Sequence, residues 1–146
     1  MSTEQNKAVM QRIWKELLNE GGLEKSAELI AENYVYHGPG GREIRGVDGF
    51  NRFMTWFHKR FAGIRFTVDD LIAEGDKVVS LFTMEATSQN NKTVKFQGII
   101  ICRIVDGKEV EVWEVYDRLS IVSQLATGLP KVMVRLIEKK MSKQQP

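Results

Sequence analysis

The sequence predicts an α+β fold: a curved antiparallel sheet wraps around N-terminal helices to form a cone with an internal pocket, and an extra helix follows at the C-terminus. Three observations carry this. Apolar residues recur at helical spacing through about the first 62 residues and then alternate at the strand period from Ile64 onward. Tight-turn signals punctuate the second half, the strongest being Asp106-Gly107 between two apolar runs. A long antiparallel sheet twists and curls, so helices fill its concave side and leave room for an apolar pocket with a few polar groups.

The first helix is set by Val9, Met10, Ile13, Trp14, Leu17 and Leu18. Ser2 or Thr3 caps its start, and Gly21-Gly22 stops it. A second helix is expected over about Leu23–Asn33, turning Ala27, Ile30, Ala31 and Tyr34 inward. Tyr34–His37 then reads as a short extended piece, turned at Gly38–Gly41, with Arg42–Arg45 as the returning arm. The third helix covers about Val47–Ala62, with Phe50, Phe53, Met54, Phe57 and Phe61 on its apolar stripe and Gly63 at its end.

Four strands follow as a meander: about Ile64–Ala73, Lys77–Ser88, Thr93–Val105, and a last strand reaching about Asp117. Glu111, Trp113 and Asp117 lie at even spacings on that last strand, which predicts one shared face and a Trp113 indole on the concave side. Ser120–Leu125 is a short helical turn. Pro130 opens a final helix whose stripe is Leu129, Val132, Met133, Leu136 and Ile137. Residues 1–128 are therefore read as a single domain and 129–146 as a basic amphipathic helix and tail.

Charge and composition limit the functions available. The chain of 146 residues carries a formal charge of +2 and is 42% apolar, an ordinary globular balance. From Leu129 onward five basic residues face one acid, so the tail holds +4 and residues 1–128 hold −2. Such a body has no electrostatic footprint for nucleic acid. The tail helix is expected to dock on its own domain or on a partner subunit, ahead of membrane-surface binding. A single cysteine, Cys102, lies in an apolar run and suits a reducing compartment as an inert buried thiol. The polar start has no export signal, so a cytoplasmic location is expected. His37 and His58 stand too far apart for metal-ligand spacing; no metal site and no cofactor are expected.

The runs GVDGFNRFMTWF, FTVDDLIAEGDKVVSLFTMEATS and FQGIIICRIVDGKEVEVWEVYDRLSIVSQL, over about Asn6–Leu125, resemble the SnoaL-like polyketide cyclase family of the nuclear transport factor 2-like superfamily. The likeness is most specific at Glu74-Gly75-Asp76, Asp106-Gly107-Lys108, Trp113, Asp117 and Gln124-Leu125, with His37 and Gly46 where the family carries a histidine and a glycine. It implies cofactor-free acid–base chemistry on a small apolar, polyketide-like carbonyl compound, either aldol cyclisation or isomerisation. Asp117 matches the family's aspartate base. Its other reading is a cap or an ion pair near the strand end, with Arg118 or Arg42.

The family's partner histidine on the preceding strand is missing, since Thr93–Val105 contains none. Gln97 faces Asp117 only if the hairpin carries an extra residue. Arg103 lies too near the turn to meet Asp117, which also argues against an epoxide-hydrolase arrangement. His37 is expected beside the last strand, near Asp117, or else satisfied by the glycine turn. Trp14, Phe53, Phe57, Gln97 and Trp113 are the expected substrate contacts, with Trp14 and Phe57 read as core first and pocket wall second. A non-catalytic small-ligand binder or oligomerisation module is the alternative function. Apolar side chains on the outer sheet face predict a homodimer.

Overall fold

The computed structural model describes residues 1–142; the end of the expected tail, Lys143 included, lies outside the described residues. Helix α1, Thr3–Arg12, opens with a reciprocal capping box between Ser2 and Gln5 and continues as a wider π-helical turn over Ile13–Asn19. A single 3-10 turn, Leu23–Lys25, leads into the four-residue α2, Ser26–Leu29. The expected second helix therefore ends early. From Ile30 the chain is strand β1, Ile30–Gly38. Tyr34 and Tyr36 are its buried alternate pair, and their period of two outweighs the helical spacing of Ala27, Ile30, Ala31 and Tyr34.

Strand β2, Arg42–Arg45, pairs back on β1, and helix α3, Gly46–Arg60, follows. Phe61 already belongs to β3, Phe61–Glu74, and Gly63 sits in a register shift of that strand instead of stopping the helix. β4, Lys77–Ser88, and β5, Thr93–Val105, complete the meander with β6, Lys108–Tyr116. The sheet is mixed, in the order β2-β1-β6-β5-β4-β3, because β1 runs parallel to β6 while every other pair is antiparallel. Its concave face covers α1 and α3. Met10, Ile13 and Leu17 from α1, Phe50 and Met54 from α3, and Phe82 from β4 form the core.

Two features of the β5–β6 hairpin decide the rest. Asp106 and Gly107 both have positive φ, so the turn has two residues and pairs Val105 with Lys108. Arg103 pairs with Glu111 while Ile104 pairs with Glu109, which leaves Val110 as an extra residue, a β-bulge. Beyond it Gly98 pairs with Tyr116, and there the ladder ends.

Helix α4, Arg118–Leu125, then folds across the open edge of β5. Its Gln124 side chain takes the place of a strand: Oε1 accepts the Lys95 N–H at 2.8 Å and Nε2 donates to the Lys95 carbonyl at 2.9 Å. Helix α5, Leu129–Ser142, rests against α4 and buries Val134. Its main stripe, Leu129, Val132, Met133, Leu136 and Ile137, is exposed, so the expected docking on the body holds only for the Val134 edge. Among the described residues no helix is long and apolar enough to cross a membrane.

Candidate active site

Between α1, α3 and the concave sheet lies a cavity of about 120 Å³. Half of its lining residues are aromatic: Trp14, Phe53 and Phe57 from the helices meet Phe66, Phe96 and Tyr116 from the sheet. The Trp14 indole N–H is satisfied by the Ser80 hydroxyl at 3.3 Å, so that ring presents only carbon to the cavity. The described polar groups facing inward are few: the phenols Tyr34, Tyr36 and Tyr116 and the carboxyls Glu109 and Glu114.

The register of the β5–β6 hairpin selects these carboxyls. Facing pairs share a side of the sheet, and Ile100 and Cys102 of β5 point inward. With one extra residue absorbed at Val110, Cys102 pairs with Val112, Ile100 with Glu114, and Gly98 with Tyr116. Glu114 therefore enters the cavity, while Glu109, on the turn side of the bulge, is inward already as the partner of the buried Ile104. The expectation for Trp113 is corrected here. The indole stands on the convex face, 38% exposed and paired with Ile101, because the bulge exchanges the faces that a regular two-residue hairpin would give.

Glu114 meets its first partner within the cavity: the Tyr36 hydroxyl donates to its Oε2. Gly38, two residues on along β1, makes room for this ring, since a Cβ there would stand 2.5 Å from a Tyr36 ring carbon. Burial raises the Glu114 carboxyl above the ordinary carboxylate range, and the Tyr36 hydrogen bond and the Arg42 charge offset part of the rise. Arg42 stands near the outer end of the cavity, its guanidinium carbon 5.3 Å from the Phe53 ring centroid. Tyr36 itself is pushed upward by burial and by the adjacent Glu114 charge, so it stays a phenol and a donor. Chemically, this is a partly desolvated carboxylate with one oxygen held by a phenol.

Glu109 lies deeper, near Cys102 and Tyr34. It is 3% exposed, and its Oε1 finds no hydrogen-bond partner among the described residues. Burial pushes this carboxyl up to about 8, with the Cys102 thiol opposing the shift slightly. Burial pushes the Cys102 thiol up too and leaves it unreactive.

Trp14, Phe53 and Phe57 line the cavity, but the other sequence candidates stand elsewhere. Asp117 is exposed just past the end of β6, where its Oδ1 accepts the backbone N–H groups of Leu119 and Ser120 at 2.9 and 3.1 Å. This is the N-cap of α4, the cap foreseen as its alternative. His37 joins the convex face: it stacks on Trp113 at 5.5 Å, and its Nε2 lies 3.0 Å from Glu111. Arg103 approaches the other oxygen of Glu111 at 3.5 Å, a surface position as expected. Gln97 points outward and donates to Asp69 at 3.2 Å. His37, Gln97 and Trp113 are thus brought to the convex face of the sheet, away from the cavity wall.

Sequence reasoning missed Glu109, Glu114, Tyr36 and Tyr116. Tyr34-Val35-Tyr36 was the available signal for an inward tyrosine pair. Both faces of Glu111–Tyr116 mix apolar and polar residues, so alternation alone gave no orientation for that strand.

Residues 8–125 match the family model described as SnoaL-like polyketide cyclase. No curated protein matches the chain in sequence. Among solved structures, a proposed polyketide cyclase from Bacillus cereus ATCC 10987 is 29% identical, with a TM-score of 0.74 over 86% of this chain and 85% of its own. IdmH, a proposed polyketide cyclase from Streptomyces antibioticus, is 24% identical, with a TM-score of 0.74 over 84% of this chain and 99% of its own. A proposed SnoaL-like polyketide cyclase from Jannaschia sp. CCS1 shares the fold at 15% identity, with a TM-score of 0.80 over 86% of this chain and 94% of its own.

Proposed function

The chain belongs to the SnoaL-like polyketide cyclase family, and on that premise we propose that its cone carries out acid–base chemistry, without a cofactor, on a small apolar carbonyl compound. The reaction is an isomerisation or an aldol ring closure, begun by removing a proton from the carbon next to the carbonyl. Glu114 is the base. The observation that carries this reading is its pairing with Tyr36 inside an aromatic cavity. Poor solvation makes the carboxylate a stronger base, and the phenol fixes one oxygen so that the other meets the substrate. The enolate oxygen is stabilised by a neighbouring phenol, Tyr116 or Tyr34. A volume of about 120 Å³ suits a compound of about one ring, similar to the engineered cavities of roughly 150 Å³ that hold benzene.

A non-catalytic binding module of the same fold is the second reading. It is favoured by Asp117, which matches the family's base yet caps a helix outside the cavity.

Deuterium exchange next to the carbonyl of small cyclic ketones, followed by NMR, separates these readings. The wild type is expected to accelerate exchange, and Glu114→Gln to lose about 10²–10⁴-fold of the acceleration. Asp117→Asn is expected to change nothing, because asparagine caps a helix as well as aspartate does. Loss in Asp117→Asn with Glu114→Gln unaffected would return the base to Asp117. No acceleration in the wild type leaves the binder.

A further inference from the structure

We propose that Glu109 is a second recognition group of the cavity: a neutral carboxylic acid that donates a hydrogen bond to an oxygen acceptor at the buried end of the ligand. The proposal rests on reading this cavity as the ligand site and adds the ligand's chemistry at its inner end. Three observations support it. Glu109 is 3% exposed and lines the cavity. Its Oε1 has no hydrogen-bond partner among the described residues, although buried polar atoms are almost always paired. The two-residue turn sets it opposite the buried Ile104 and so on the concave face.

The carboxyl sits near Cys102 and Tyr34, and among the described residues no cation pairs with it. Its upward-shifted proton affinity agrees with a neutral acid at neutral pH. A neutral acid carries one O–H, which needs an acceptor, and among the described residues neither the Tyr34 phenol nor any other group hydrogen-bonds its Oε1. The acceptor is therefore supplied by whatever fills the cavity: a ketone, ester or ether oxygen. A carboxylate ligand is excluded, since two acids would have to share the site without a counter-charge.

Glu114 lies nearer Arg42, toward the outer end, so the two carboxyls read opposite ends of one molecule. The favoured class is a compound of about one ring with two oxygen functions at its two ends. One carbonyl lies at Glu114, where the proton is removed, and one acceptor lies at Glu109. A purely hydrocarbon ligand leaves the Glu109 hydroxyl unsatisfied and binds more weakly for that reason.

Equilibrium binding of two probes of similar size, cyclohexanone and methylcyclohexane, tests this by calorimetry at pH 6.5 and pH 9.5. The wild type is expected to prefer the ketone about tenfold at pH 6.5, one hydrogen bond's worth, and to lose that preference at pH 9.5. Glu109→Leu is expected to bind both probes equally at either pH. Glu109→Gln keeps a donor that does not titrate, so it is expected to prefer the ketone at both values. This second variant carries the test if the leucine variant fails to fold. A ketone preference that survives Glu109→Leu, or a wild type that binds the probes equally or not at all, overturns the proposal. Because the readout is binding, the base assigned to Glu114 stands or falls separately.

Discussion

At Glu109 burial and ionisation oppose each other, and folding is linked to pH as a result. The folded carboxyl titrates at about 8 against an ordinary value of 4.5, so the native state binds this proton more tightly than the unfolded chain does. The contribution is fully present below pH 4.5 and is lost as pH rises toward 8, on the order of 3–5 kcal/mol. Denaturant titrations at pH 5, 7 and 9 should show the wild type weakening relative to Glu109→Gln, with the gap widening up to pH 8. A gap that stays constant across this range would mean that Glu109 is charged and solvated in the native state. None of this was legible in the residue alone. Glu109 lies two residues from the Asp106-Gly107 turn, where the strand pattern alone does not mark a residue as buried; its pairing with the buried Ile104 makes it an interior group.

At the scale of elements, sequence and structure part where two periods compete. The third helix, the β4 and β5 strands and the Asp106-Gly107 turn were legible, since each pattern is long or each turn signal unambiguous. The second helix was not, because Ile30, Ala31 and Tyr34 satisfy a helical stripe until Tyr36 extends them as a strand. The end of β6 was misplaced for a related reason: Asp117 fits a strand period but starts α4 as a cap.

The convex face gives a further prediction. Ile72, Val79, Ile101 and Trp113 form one cross-strand row, and Leu81, Ile99 and Val115 form the next. Glu85 with Arg65 and Lys95 borders this apolar strip at one end, and Glu111 with His37 and Arg103 borders the other. We propose that a second copy covers the strip by two-fold pairing. Each copy's strip then meets its own counterpart, with the charged groups left at the rim. Sedimentation at micromolar concentration should give a dimer for the wild type and a monomer for Val115→Lys. A monomeric wild type rejects this interface.

For the whole molecule, the family and the α+β cone were readable because helices come first, strands follow, and turn signals space them regularly. Three of the wall residues, Trp14, Phe53 and Phe57, were readable because they lie on helices whose inward face is unmistakable. Glu114 and Tyr116, by contrast, reach the interior only because a single residue is absorbed at Val110 in β6.

The bulge at Val110 is slack in the chain, and slack of this kind makes a strand tolerant of deletion. Removing Val115 could be taken up by straightening the bulge: Tyr116 would stay opposite Gly98 and α4 would start where it does now. Between the two points every side chain would exchange faces. Trp113 would then point inward opposite Ile100, and Glu114 would turn out opposite Ile99. A chain lacking Val115 is expected to fold, and ketone exchange measured on it should fall to the uncatalysed rate. Retention of catalysis would show that the bulge does not yield. One codon would thus separate a cavity that moves protons from one that only holds a ligand, and descent within such a lineage could cross between the two by a single deletion.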